Sequence, residues 1–179
     1  NDVDVVFHLA AMPSLAWTKK IFRVNYNGTE NLLNEAVAGC VKRFVFMSSL
    51  VVHGFKNFNA ADEQTPVLTP GTFTRPYIAS KIKCEELVTL YKDKLETVII
   101  RPGFNIYGPN DRLASAQMLT HLRKQNPAPL INGGTALMGY VYVENLAYGL
   151  TCAGFHANAP GNAFILCDYE PPLLTLKDL

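Results

Sequence analysis

Short apolar runs rich in β-branched residues alternate with longer amphipathic segments along this chain. Strands that are covered on both faces are apolar at nearly every position, so the runs at 3–9, 41–47 and 96–101 predict buried strands. A helix of about twenty residues, at 19–38, separates the first two runs. Two strands joined by such a helix form a β-α-β unit, and the pattern therefore predicts a parallel sheet.

The first helix is predicted to end at Gly39. Its apolar positions recur at spacings of three and four, which predicts one stripe packed on the sheet: Ile21, Val24, Gly28, Leu32 and Ala36. A glycine inside a helix costs about 1 kcal/mol relative to alanine, so we expect close packing at Gly28. Asn25 lies beside this stripe, where it is either a buried residue bonded to the backbone or part of a site.

A second helix is predicted to begin near Tyr77, with Thr74 as its cap and Pro76 in its first turn. Before it lies a loop over 55–73, long enough to indicate a functional or mobile segment. Its aromatic residues either line an apolar pocket or fasten the loop to the body of the protein: Phe55, Phe58 and Phe73.

Beyond the third strand, Phe104 to Pro109 is predicted to form a turn. Later segments predict two helices and two short strands, at Leu113–Lys124, Tyr140–Val143, Glu144–Phe155 and Phe164–Leu166. We place a boundary near Pro109, with 1–109 forming the sheet domain and 110–179 covering the substrate side of the site.

Composition narrows the class of protein. The chain has 179 residues, 49% of them hydrophobic, and a net charge of +1, which fits one globular unit and gives no argument for nucleic acid or membrane surfaces. No apolar run is long enough to cross a bilayer. Four separated cysteines form no Cys-x-x-Cys pair, so we expect reduced thiols, a cytoplasmic protein and no metal site.

Candidate chemistry is concentrated at Tyr77 and Lys81, which share one face of the predicted second helix. A free phenol has a pKa of about 10, and a nearby ammonium lowers it. The pair can therefore pass a proton to or from a hydroxyl or carbonyl group. Ser49 follows the second strand, at the edge where open parallel sheets bind ligands. On spacing alone, however, a Tyr and a Lys four residues apart are common.

Six blocks, in this order along the chain, resemble the extended short-chain dehydrogenase/reductase superfamily, in particular its 3-beta-hydroxysteroid dehydrogenase-like branch. They are His8–Ala11, Val24–Thr29 with Asn31–Leu33, Lys42–Ser49, Tyr77–Lys81, Arg101–Pro102 with Tyr107–Pro109, and Tyr140–Asn145. The resemblance implies an α/β fold: an incomplete Rossmann-like, doubly wound parallel sheet with a small C-terminal substrate-side portion.

The resemblance also implies a set of residue roles. Tyr77 is expected to be the general acid/base, Lys81 to lower its pKa and bind the nicotinamide ribose, and Ser49 to bind the substrate oxygen. The cofactor is expected to be NAD or NADP. Its further contacts are expected from residues at the ends of strands and on the first helix: Leu9, Ala10, Ala11, Asn25, Pro102 and Gly103. A homodimer is plausible by the same analogy.

Four departures from the superfamily pattern stand out. The glycine-rich turn that holds the pyrophosphate is missing, so we expect that roughly the first third of the domain is absent and that this chain holds a dinucleotide weakly or not at all. The spacing from Arg101 to Tyr107 is one residue longer than usual. His53 replaces a common tyrosine and is more easily explained as a loop histidine than as a catalytic group. Met138 stands where nucleotide-sugar enzymes carry an arginine, which favours an apolar substrate.

Three functions follow from this sequence. The first is an NAD(P)-dependent oxidoreductase that acts on the alcohol or ketone group of a small apolar, steroid-like molecule. The second is a nucleotide-sugar epimerase that uses the same Ser49, Tyr77 and Lys81, supported by basic residues such as Arg112 or Arg123. The third is a non-catalytic protein that binds the cofactor or a protein partner.

Overall fold

A computed structural model describes residues 2–14, 16–54, 61–71, 74–111, 120, 123–124, 131–135, 139–168 and 175. The strands in this part are β1 (Val5–His8), β2 (Arg43–Met47), β3 (Glu96–Pro102), β4 (Asn105–Tyr107), β5 (Tyr140–Tyr142) and β6 (Ala163–Leu166). The α-helices are α1 (Lys19–Ala38), α2 (Pro76–Leu90) and α3 (Val143–Phe155), and short 3-10 turns lie at Leu50–His53 and Ile131–Gly134.

In the described residues, the main sheet has four parallel strands in the order β1-β2-β3-β6. Phe7 pairs with Val45, Val45 pairs with Val98, and Ile100 pairs with Phe164. All four strands therefore end at the same edge, which lies just beyond His8, Met47 and Pro102. The predicted Rossmann-like parallel sheet is confirmed.

Helices cover both faces of this sheet, because successive strand residues point to opposite sides. Phe44 and Phe46 pack against α1 and α2, in a cluster with Leu33 and Val88. Val45, Val98 and Ile100 face the other way and pack against two α3 residues, Leu146 and Leu150. These interleaved residues explain why the strand runs are apolar at nearly every position.

Arg43 fixes helix α3 to the beginning of β2. Its Nη1 donates to the carbonyl oxygens of Ala153 at 3.2 Å, Gly154 at 2.9 Å and His156 at 2.9 Å. Carbonyl groups at a helix C-terminus have no partner within the helix, and a cation there also complements the helix dipole. Glu96 neutralises the guanidinium through a 2.7 Å ion pair.

Strands β4 and β5 form a second, two-stranded parallel sheet, in which Asn105 pairs with Tyr140. The prediction of a simple turn over 104–109 is therefore wrong for Asn105–Tyr107, because its strand partner lies more than thirty residues away in sequence. The C-terminal segment also contributes β6 to the main sheet. The boundary at residue 109 stays a prediction.

Helix α1 has the predicted bounds but buries a different stripe. Its buried residues are Ile21, Asn25, Thr29, Leu33 and Ala36. Val24 is 42% exposed, and a Cβ added at Gly28 would meet nothing within 4 Å. The expected close packing at Gly28 is therefore wrong. Two polar residues lie on the buried face because they have hydrogen-bond partners there.

The predicted cap of α2 is also wrong. Arg75, in extended conformation, precedes the helix and makes no side-chain capping bond, while Pro76 occupies the first turn as expected. The Thr74 hydroxyl instead accepts a 2.7 Å hydrogen bond from the backbone N–H of Gly71. Thr74 therefore closes the turn before the helix.

Several predictions concern residues outside the described part: Phe55, Phe58, Phe73, Arg112, Met138 and most of the helix at Leu113–Lys124. Within the described residues, none of the helices combines the length and apolar character needed to cross a bilayer. The same residues contain no cluster of three or more His, Cys, Asp or Glu side chains able to hold a metal ion.

Candidate active site

Ser49 lies two residues beyond the end of β2, at the carboxyl edge of the main sheet. Its backbone is extended, and its hydroxyl oxygen accepts a 3.3 Å hydrogen bond from the N–H of Val51, capping the 3-10 turn that follows. One lone pair is therefore used locally. The hydroxyl proton is left to be donated to another oxygen at the edge.

Tyr77 projects from the first turn of α2 towards Ser49. Burial raises the pKa of the Tyr77 phenol above its usual value of 10.0, and hydrogen bonding to the Ser49 side chain lowers it by a smaller amount. Tyr77 is therefore a neutral phenol near pH 7. The expected lowering of this pKa by Lys81 is not seen, because desolvation of the phenol outweighs the favourable contacts.

Lys81 is buried on the same face of α2, one turn after Tyr77, and only 2% of it is exposed. Its Nζ donates a 2.7 Å hydrogen bond to the carbonyl oxygen of Met47, the last residue of β2. The ammonium lies 4.8 Å from the centre of the Phe46 ring and 6.0 Å from that of Tyr77. The sheet edge and the helix thus hold the amine behind the phenol.

Two opposing effects set the pKa of the Lys81 ammonium. Burial lowers the pKa of its ammonium from 10.5 to about 8, and electrostatic interactions with Cys84 and Glu85 act in the opposite direction. Lys81 therefore begins to lose its proton just above neutral pH. The structure brings together the three side chains predicted from the sequence, which are a hydroxyl, a phenol and an amine at the carboxyl edge.

Asn25 connects α1 by hydrogen bonds to the segment after β1 and to helix α2. Its Oδ1 accepts a 2.8 Å bond from the N–H of Met12, and its Nδ2 donates to Ser80 Oγ at 3.0 Å. The Ser80 hydroxyl in turn donates to the Tyr77 carbonyl at 2.7 Å. Asn25 is thus a buried polar residue bonded to the backbone, one of the two alternatives for it. Its role near a cofactor stays a prediction.

His8, at the end of β1, belongs to the same buried layer and was not predicted as a site residue. Its Nε2 lies 2.9 Å from Thr29 Oγ1, and that hydroxyl donates its own proton to the Asn25 carbonyl at 2.8 Å. His8 must therefore carry its proton on Nε2. Burial, with a contribution from Lys81, lowers the pKa of His8 from 6.5 to about 4, so the ring is neutral.

The predicted dinucleotide contacts differ in how accessible they are. Leu9 and Ala10, just past β1, are exposed, and Ala11 is half-buried. These small or unobstructed positions fit the close approach of a dinucleotide to the backbone. Pro102 and Gly103 are buried, and the Gly103 N–H donates to the Leu166 carbonyl at 2.8 Å. Cofactor contacts at all five positions stay predictions.

A buried ion pair beside the site was missed by sequence reasoning. Arg101 and Glu85 form a 2.8 Å ion pair, and Arg101 Nη1 lies 3.4 Å from His53 Nε2. His53 is thus part of a buried network, whereas the sequence favoured a simple loop histidine. One signal was available: Glu85 follows Lys81 by four residues and so shares its face of α2.

Asp168 was also missed, because its partners are scattered along the sequence. Its carboxylate accepts bonds from the N–H of Tyr142 at 2.6 Å, Asn145 Nδ2 at 2.8 Å and the Tyr107 hydroxyl at 3.2 Å. Asp168 therefore connects β4, β5 and the beginning of α3 after the end of β6. This junction positions the second sheet beside the carboxyl edge.

The parallel sheet and the group formed by Ser49, Tyr77 and Lys81 define a member of the extended short-chain dehydrogenase/reductase superfamily. Residues 1–173 match the sequence profile of the 3-beta hydroxysteroid dehydrogenase/isomerase family. The chain belongs to that family.

The curated relatives that this chain matches are longer than the chain itself. The chain is 32% identical over 186 residues to the 3 beta-hydroxysteroid dehydrogenase/Delta 5-->4-isomerase of Mycobacterium tuberculosis, a match that covers 96% of the chain and 50% of the relative. The chain therefore spans about half the length of such curated relatives.

Solved structures agree on the fold. Pal from Bacillus thuringiensis superimposes with a TM-score of 0.83 at 28% identity, covering 98% of this chain and 57% of the other. The UDP-glucuronic acid 4-epimerase from Bacillus cereus, solved in complex with NAD, gives a TM-score of 0.83 at 26% identity, covering 99% and 57%.

Proposed function

We propose that the protein to which this chain belongs is an NAD(P)-dependent oxidoreductase that interconverts an alcohol and a ketone. The observation that carries this proposal is the pairing of the Ser49 and Tyr77 hydroxyls at the carboxyl edge of the sheet, with the Lys81 ammonium behind them. A protonated phenol beside a second hydroxyl donor can hold a carbonyl oxygen and then protonate it.

Each of the three side chains has a defined task. A bound nicotinamide supplies or accepts the hydride. Ser49 donates a hydrogen bond to the substrate oxygen, since its own oxygen already accepts from Val51. Tyr77 gives its proton to that oxygen during reduction and takes it back during oxidation. The positive charge of Lys81 favours the phenolate that remains after reduction.

For the cofactor we propose NAD. The support comes from similar proteins, such as the Bacillus cereus epimerase whose structure contains NAD. Leu9, Ala10 and Ala11 offer an accessible backbone beyond β1 for a dinucleotide, and Asn25, Tyr77, Lys81, Pro102 and Gly103 are the further proposed contacts. Titrating the whole protein with NAD and with NADP, by calorimetry, tests this choice.

For the substrate we propose a small apolar molecule with one hydroxyl or ketone group. The Mycobacterium tuberculosis relative is named for a hydroxysteroid, which favours this class. Phe104, directly after Gly103, is 45% exposed and presents an aromatic surface near the carboxyl edge. An apolar substrate would bury such surface on binding.

Tyr77→Phe tests the catalytic proposal. Removing the phenol hydroxyl takes away the proton donor, so turnover of the whole protein should fall by about 100-fold or more while NAD binding is retained. Tyr91→Phe is the matched control, because Tyr91 lies at the end of α2 and its hydroxyl donates a 2.6 Å hydrogen bond to the exposed Asn34 side chain. Turnover of Tyr77→Phe within a few-fold of the original would contradict the assigned role.

A nucleotide-sugar epimerase is the second candidate, favoured by the similarity to the Bacillus cereus UDP-glucuronic acid 4-epimerase. The two functions differ in their net effect on the nicotinamide cofactor. An oxidoreductase with an apolar ketone or alcohol changes the absorbance of reduced nicotinamide, whereas an epimerase converts a nucleotide sugar with no net change in it. Screening both substrate classes separates the two functions. Cofactor binding without turnover of either class would support a non-catalytic protein.

The cellular location and assembly of the protein are further parts of this proposal. Cys40, Cys84, Cys152 and Cys167 are all free thiols, as expected in the reducing cytoplasm that we propose for the protein. Cell fractionation tests the location. A homodimer is proposed by analogy, and sedimentation of the whole protein tests it.

A further inference from the structure

A buried ion pair lies next to the candidate active site and has no part in the roles assigned above. Glu85 follows Lys81 by one turn of α2, and Arg101 lies near the end of β3. Arg101 donates from Nε to Glu85 Oε1 at 3.1 Å and from Nη2 to Oε2 at 2.8 Å. Both side chains are only 8% exposed. The pair is bidentate, so the position of the carboxylate is fixed.

The remaining nitrogen of Arg101 also has a hydrogen-bond partner. Its Nη1 lies 3.4 Å from His53 Nε2, and His53 Nδ1 lies 3.2 Å from the Pro66 carbonyl oxygen. A guanidinium only donates, so Nε2 of His53 is the acceptor and Nδ1 carries the proton. Arg101 is therefore held from two directions and cannot turn away from Glu85.

This arrangement places a negative charge near two cations. Glu85 shares a helix face with Lys81 on one side and contacts Arg101 on the other. The other groups around Lys81 are the neutral His8 on β1, the Met47 carbonyl on β2, and Tyr77 and Cys84 on α2, of which the last two have raised pKa values. In the described part of the chain, Glu85 is the carboxylate that acts on this ammonium.

We propose that Glu85, whose charge is shared between Arg101 and Lys81, is a positioning residue that keeps Lys81 positively charged in the working pH range. The proposal deepens the proposed function and rests on it, because it matters only if the Lys81 charge supports a phenolate. Removing the carboxylate would take away one of the interactions that oppose the effect of burial, and Lys81 would lose its proton at lower pH. Displacing Arg101 would free the carboxylate to act on Lys81 alone.

Glu85→Gln tests the first consequence. The amide keeps the shape and an acceptor for Arg101 but removes the charge. The titration of Lys81 can be followed in the whole protein by NMR of lysine labelled at Cε, with Lys81→Met to assign the signal. We expect its midpoint to fall by about one pH unit. Glu86→Gln is the matched control, because Glu86 pairs with exposed Lys83 on the same helix and should leave the midpoint unchanged.

Arg101→Gln tests the second consequence, in which the titration midpoint of Lys81 shifts in the opposite direction. Once the guanidinium is gone, the carboxylate interacts with Lys81 alone, and the midpoint should rise. General damage to the site would move both variants in the same direction. An unchanged midpoint in Glu85→Gln, or a fall in Arg101→Gln, overturns the proposal. If Glu85→Gln does not fold, the direction in which the Lys81 midpoint shifts in Arg101→Gln decides whether the proposal holds.

The same variants separate this proposal from the catalytic one. The lysine signal is read without turnover, so it reports on Glu85 even if Tyr77→Phe proves fully active. If turnover depends on Tyr77 as proposed, the alkaline limb of the kcat profile should shift to lower pH in Glu85→Gln, together with the NMR midpoint.

Discussion

The buried polar residues His8, Asn25 and Thr29 are each satisfied by another group of the protein. Asn25 uses both ends of its amide, on the Met12 N–H and the Ser80 hydroxyl. Thr29 accepts from His8 and donates to the Asn25 carbonyl. A buried polar group without a partner costs about 1–3 kcal/mol, so these bonds keep a polar layer stable directly beneath the candidate site.

The buried neutral state of His8 predicts a pH dependence of stability. Its pKa is about 4 in the folded protein and near 6.5 when exposed, so below pH 6.5 the unfolded chain binds a proton that the folded one does not. The free energy of unfolding should therefore decrease as pH falls from 6.5 towards 4, by about 1–2 kcal/mol between pH 7 and pH 5.

Urea unfolding at several pH values measures this effect. His8→Gln keeps a donor for Thr29 but does not titrate, so most of the decrease should disappear in that variant. His156→Gln is the control, since His156 is exposed at the end of α3 and its removal should leave the decrease in place. The same pH dependence in His8→Gln as in the original protein would show that another group causes it.

At the scale of one element, α1 shows that hydrophobicity alone selects the wrong face. The sequence stripe through Val24 and Gly28 faces solvent, and the face through Asn25 and Thr29 packs on the protein. A helix buries the face that contacts its neighbours, and here these contacts include hydrogen bonds to β1 and α2. Polar residues are therefore buried although an apolar position lies beside them.

The exposure of Gly28 gives a prediction for this helix. Gly28→Ala should stabilise the protein by about 0.5–1 kcal/mol, because alanine restricts the unfolded chain and the added Cβ meets nothing within 4 Å. The shift in the urea midpoint measures it. Gly154→Ala in α3 is the contrast, since its Cβ would overlap the Phe7 ring and should remove any gain. A lower midpoint for Gly28→Ala would mean that something packs on this face.

For the whole molecule, the decisive contact is the one between the two sheets. Gly103 follows β3 of the main sheet, and a Cβ there would lie 2.7 Å from the Gly139 carbonyl oxygen, next to β5. Only glycine allows the two backbones to approach this closely. The junction is reinforced by the Asp168 carboxylate, which bonds the Tyr142 N–H at 2.6 Å.

Gly103→Ala should therefore destabilise the protein by about 1–3 kcal/mol, because a backbone atom has to move to admit the methyl group. The midpoint of urea unfolding again measures the effect. Gly71→Ala is the matched control, as its added Cβ would meet nothing within 4 Å. If the two variants unfold at the same midpoint, the sheets are not held as tightly as their geometry indicates.

The sequence alone predicted most of the main elements and the residues at the centre of the site. The bounds of α1 were predicted, and those of β2 and β3 to within two residues, since a parallel sheet covered on both faces needs apolar strands with amphipathic helices between them. Ser49, Tyr77 and Lys81 were identified because local spacing places each at a strand end or on one helix face, and because six ordered blocks of the sequence resemble the superfamily.

Only the tertiary structure decided the features that depend on partners distant in sequence. The pairing of β4 with β5, the buried face of α1 and the Glu85–Arg101–His53 network all join segments that no local pattern connects. The same holds for the pKa of Tyr77. Local spacing suggested that Lys81 lowers it, but burial raises it, because desolvation depends on everything packed around the phenol rather than on one neighbour.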